Sequence, residues 1–150
     1  KISAFFVSLA GYPFAISVAY LAFYLLQNDC AKGFVIGLSM LFVIMLLFWI
    51  RNAYGVVWVL LFCALNIFLV YLDNPVYLNI AGLFYATMIL TESVSSAFVL
   101  LYISIIMPQK AGDATNLQKM THIPAVIWSL IFLAYTGWVV YWVFANMVLI

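Results

Sequence analysis

Glu92 is the residue whose type and setting most directly invite chemistry. It stands in Thr91-Glu92-Ser93-Val94-Ser95-Ser96, the most polar stretch inside any of the chain's long apolar runs. Should that run lie in lipid, a carboxylate near its middle costs roughly 2.5–3.5 kcal/mol to insert, so such residues usually face the interior of a bundle. At helical spacing its neighbours are Met88, Ile89, Ser95 and Ser96, and Tyr85 and Val99 continue the face. One reading is a proton or cation site built on Glu92, Ser95, Ser96 and Asn66. The other is a structural glutamic acid, hydrogen-bonded to a serine, to Asn66 or to a partner subunit. Asn66 is the second polar group of this kind, because an amide in lipid seeks a partner on another helix.

Aromatic side chains form the next group. Trp128, Tyr135, Trp138 and Trp142 recur at about helical spacing, so one face of the last apolar run is aromatic along much of its length. Such a face suits a flat ligand or a lipid, and equally ordinary helix packing. Trp49, Arg51, Tyr54 and Trp58 cluster where a belt of amphipathic rings would anchor an interface.

Enzymatic signatures are absent by inspection. His122 is the sole histidine, so bis-histidine haem ligation within the chain is excluded by count. No HExxH, GxSxG or phosphate-cradling glycine pattern occurs. An aspartyl intramembrane peptidase needs two acids in the membrane, and the runs hold one. Cys30 lies in a polar junction and Cys63 inside an apolar run, which reads as two unpaired thiols. The expectation is therefore a chain that is not an enzyme and that uses no metal and no cofactor.

The elements that must position these residues follow from composition. Of 150 residues, 70% are hydrophobic and 6% are charged, with five bases and four acids. The mean hydropathy is +1.27. A soluble domain is about 25% charged, so this composition excludes one, along with a disordered chain and a nucleic-acid binder working through a basic face. The partner is a lipid bilayer.

Against a requirement of roughly 20 apolar residues per transmembrane helix, five runs qualify: 2–27, 34–50, 56–72, 76–107 and 125–150. The first is too long for a signal-peptide core of about 7–15 residues and reads as a retained span, kinked near Tyr12 by Pro13. The fourth, 32 residues long, would reach about 48 Å as a helix and must tilt or project beyond a ~30 Å hydrocarbon core. Pro108 to Pro124 reads as the one substantial loop.

Five spans place Lys1, Arg51, Lys110 and Lys119 on one side and Lys32 alone on the other. Basic residues favour the cytoplasmic side, which puts the N-terminus inside and the C-terminus outside. The fold class expected is an all-α integral membrane protein, a single bundle of five transmembrane helices. A bacterial inner membrane is the favoured location, an organelle membrane the alternative. Short loops and pairs of small residues four apart, such as Ser93 and Ala97, point to a non-catalytic accessory, assembly or scaffold component with protein partners or in a homo-oligomer. The alternative is a small oligomeric transporter or channel moving a proton, cation or small solute past Glu92.

Overall fold

The protein is described by a computed structural model, in which residues 2–147 are placed and side chains are defined from Gly11 onward. Backbone amides cannot find water in hydrocarbon, so an uninterrupted apolar run must satisfy them within itself. The described residues do so as helices: α1 Ile2–Gln27, α2 Ala31–Phe48, α3 Ala53–Leu72, α4 Pro75–Ile106, α5 Gly112–Thr121 and α6 Ala125–Met147, with a 3-10 turn at Pro108–Lys110. Helices α2, α3, α4 and α6 are each long and apolar enough to cross a membrane, and Gly11–Gln27 of α1 forms a shorter apolar helix. The chain is an all-α, multi-pass membrane protein.

All five expected runs begin within three residues of the start of an observed helix. The main departure is the segment between α4 and α6. It is not an irregular loop: it folds into the 3-10 turn and the ten-residue α5. Its apolar content is slight but well spaced. Ala111, Ala114 and Leu117 recur every three residues, and all three are buried. Helix α1 runs through Pro13 without a break in its assignment.

The connections have local causes. Asp29, Asp73 and His122 adopt positive φ angles of 56°, 48° and 62°, a region in which Asp and His are several-fold enriched among residues other than glycine. Asn74 accepts a 2.9 Å hydrogen bond from the Val76 amide, and Pro75, which has no amide proton to satisfy, takes the first position of α4.

Two compact units divide the chain. One holds residues 22–85: the end of α1, α2, α3 and the start of α4. The other holds the rest: the start of α1, the remainder of α4, α5 and α6. In the 22–85 unit, Ala31, Val35 and Leu78 form a core flanked by Leu26, Leu69 and Val70. Gly82 lets Leu26 pack directly on α4, since a Cβ there would lie 2.5 Å from its Cδ2. In the other unit the core is Leu100, Ala111, Ala114, Leu117, Ala125 and Phe132, with Tyr12, Ile103 and Trp128 packed against it. Large apolar side chains such as Met40, Leu47, Ile67, Ile80 and Tyr102 remain exposed, far more than a water-soluble surface carries. Lipid is the solvent that suits them.

Candidate functional site

Three elements of the unit containing α5 and α6 converge on one cleft of about 420 Å³. Helix α1 contributes Gly11, Tyr12 and Ala15, helix α4 contributes Glu92, Ser93 and Ser96, and α5 contributes Asp113. Glu92 is exposed into this space instead of being sealed in the interior. Ser96, one turn along, donates a 3.2 Å hydrogen bond to Glu92 Oε1. Ser93 is buried and its hydroxyl is turned back onto the Ile89 carbonyl at 2.7 Å. Ser95 is exposed.

Asp113 reaches the cleft because α5 is held at both ends. The Thr115 hydroxyl donates to the Pro108 carbonyl at 2.6 Å, and Gln118 Oε1 accepts from the Ala125 amide at 3.0 Å. The Trp128 indole donates to Thr121 Oγ1 at 3.2 Å. A carboxylate in the first turn of a helix is also favoured by the aligned backbone dipoles. Gly11 completes the arrangement: the Asp113 carboxylate occupies the space a Cβ at position 11 would need. Tyr12, beside it, stacks on Phe132 with ring centroids 6.1 Å apart. The site thus presents two carboxylates and a serine hydroxyl against small residues of α1.

Asn66 has other partners than the ones expected. Its Nδ2 donates to Ser39 Oγ at 3.0 Å, and its Oδ1 accepts from the Tyr85 hydroxyl at 2.7 Å. The amide thereby links α2, α3 and α4 within the 22–85 unit and is only 1% exposed. Three of the α6 aromatic residues face α1: Trp142 lies 4.5 Å from the Tyr20 ring, Tyr135 shares a 2.9 Å hydrogen bond with Ser17, and Trp138 stacks on Tyr20. Trp138 also stacks on Tyr135, and Trp128 packs beside Phe132. Trp49, Arg51, Tyr54 and Trp58 are all exposed around the α2–α3 turn.

Asp113 was invisible as a site residue because it lies in a polar segment read as a loop. The available signals were Gly11, where the carboxylate closely approaches the α1 backbone, and Gly112, whose positive φ of 52° turns the chain into α5.

A multi-pass helical protein with a carboxylate-lined cleft between its helices is the class that the fold and site define. Sequence comparison adds the family: residues 1–143 match the family described as Peptidase M50B-like, and the chain belongs to it. No curated protein and no solved structure matches the chain. Membership overturns the expectation that the chain is not an enzyme, for it places the chain among membrane peptidases. That expectation rested on short local motifs, whereas the family relationship is spread over most of the chain.

A metallopeptidase zinc takes three protein ligands and a water. Among the described residues no three His, Cys, Asp or Glu side chains converge. His122 caps the end of α5 opposite Asp113, nine residues and about 13 Å along the helix axis. The cleft supplies two carboxylates and hydroxyl oxygens but no imidazole or thiolate, so the donor set present does not fit a complete zinc site.

Proposed function

We propose that this chain acts in intramembrane proteolysis, as the membrane-embedded part that receives a substrate segment at the cleft between α1, α4 and α5. The observation that carries this reading is the cleft's composition, with Glu92, Ser96 and Asp113 gathered from two helices beside Gly11 and Ala15 of a third. A peptide bond can be attacked only where the substrate helix is opened, and opening it strands amide donors that hydrocarbon cannot satisfy. Two carboxylates and a hydroxyl supply acceptors for those donors. Membership of the M50B-like family supports the same reading. The chain works with protein partners or further copies of itself in the plane of a bacterial inner membrane, its N-terminus inside.

The test is cleavage of a transmembrane reporter segment by the full-length protein in proteoliposomes. Glu92→Gln and Asp113→Asn each lower turnover on the order of 10²-fold, the scale of losing one positioned polar group in an active site. Unchanged cleavage in both variants overturns the proposal. A pH-dependent cation flux that Glu92→Gln abolishes while cleavage persists would instead assign the cleft to transport.

A further inference from the structure

The 22–85 unit carries a second constellation, remote in sequence from the peptidase cleft. Along α2, Lys32, Ile36, Ser39 and Val43 fall on one stripe at four-, three- and four-residue steps, and along α3 the antiparallel stripe is Asp73, Val70, Asn66 and Cys63. Two polar rungs join the stripes. Lys32 Nζ donates to Asp73 Oδ1 at 2.7 Å at the end of the hairpin, and Asn66 Nδ2 donates to Ser39 Oγ at 3.0 Å deeper in. Beside these rungs lie two cavities. The first, about 300 Å³, sits at the helix ends and is lined by Asp29, Lys32, Asp73 and Asn79 with Pro75 and Leu78. The second, about 310 Å³, is lined by Ile36, Met40, Val43, Ile67 and Val70 over the Ser39–Asn66 rung.

They follow one another along the seam. Lys32 and Ile36 are one turn apart, as are Asp73 and Val70, a step of about 5–6 Å. A polar cavity with both signs of charge at the helix ends is therefore followed, one turn along the hairpin, by an apolar groove.

We infer that this seam binds a phospholipid with a primary-amine zwitterionic headgroup, phosphatidylethanolamine in chemical class. The charge pattern matches it. Lys32 has three ammonium protons and spends one on Asp73, so its others can meet a phosphate. The Asp29 and Asp73 carboxylates accept from the headgroup ammonium, and the Asn79 amide lines the same space. One acyl chain lies in the Ile36–Val70 groove, where Ser39 and Asn66 already satisfy each other and leave an apolar wall. A net-anionic lipid would bring no ammonium of its own to the two carboxylates, of which Lys32 offsets one. A choline headgroup has no N–H to donate.

Native mass spectrometry of the detergent-solubilised full-length protein, after exposure to equimolar lipid mixtures, tests the assignment. Wild type retains phosphatidylethanolamine roughly tenfold over phosphatidylcholine and phosphatidylglycerol, the discrimination expected of a charge-assisted hydrogen bond. Asp29→Asn, which suits the left-handed backbone at position 29, removes the preference for ethanolamine over choline. Val43→Trp fills the groove and lowers retention of every lipid. Equal retention of the three lipids by wild type overturns the inference, as does a preference for phosphatidylglycerol or an Asp29→Asn variant that still discriminates. Reporter cleavage is read in parallel; loss of lipid preference with cleavage intact separates this site from the α1–α4–α5 cleft.

Discussion

At the scale of single residues, polar groups in this chain divide by whether a partner helix reaches them. Asn66 is fully engaged by Ser39 and Tyr85, so its contribution is to hold helices together. Tyr85→Phe leaves the Asn66 oxygen without its donor and should cost about 0.6–1.7 kcal/mol, the range for hydrogen bonds between membrane helices. Unfolding in mixed micelles measures it, and an unchanged midpoint would show that the bond contributes nothing. Gly11 makes the opposite kind of contribution, by absence. A Cβ at position 11 meets the Asp113 carboxylate, so Gly11→Val should displace Asp113 from the cleft and depress reporter cleavage, with helical circular dichroism retained. Full cleavage in Gly11→Val would remove Asp113 from the site.

Among elements, α5 shows how little apolar surface suffices when it is correctly spaced. Leu117 is fully buried between α5 and its unit's core, and truncating a buried leucine typically costs 2–5 kcal/mol, here roughly the anchoring of a ten-residue helix. Leu117→Ala should therefore expose residues 108–124 to added protease in detergent, while α4 and α6 stay protected. Equal resistance of variant and wild type would mean that Thr115, Gln118 and Trp128 hold the helix unaided. This element was the least legible in the sequence, since its polar residues and flanking prolines resemble a loop. Contact with Leu100, Ala125 and Phe132 and hydrogen bonds to Pro108, Ala125 and Trp128 stabilise it as a helix, and those partners lie outside it. The long helices were legible to within about three residues at each described end, because an apolar run in lipid has no alternative to satisfying its own backbone.

For the whole molecule, the Lys32–Asp73 pair joins the first turn of α2 to the α3–α4 connection at one end of the 22–85 unit. This is the arrangement that alternating spans require. With four of five bases assigned to the opposite side, the expected orientation has Asn52 and Lys119 on the inner face and Asn28 on the outer. In a background with Cys30 and Cys63 replaced by serine, Asn52→Cys and Lys119→Cys should react with an impermeant maleimide only in inverted vesicles, and Asn28→Cys only in intact cells. Labelling of positions 52 and 28 from the same side would refute the topology. The many exposed apolar side chains of α2 to α4 belong to the same scale, as a surface for lipid.

The amino-acid sequence by itself determined the solvent, the helical class and the approximate ends of the long helices. Those follow from the cost of burying charges and unpaired amides in hydrocarbon, which acts on each segment separately. It also singled out Glu92, because an acid inside an apolar run is conspicuous wherever the chain goes. The tertiary structure alone decided what Glu92 meets. Asp113 is 21 positions away in a polar segment, and Gly11 is 81 positions away, so no spacing rule joins them. Their meeting depends on α5 folding back against its own unit, a balance of small buried areas and three side-chain hydrogen bonds that no single segment encodes.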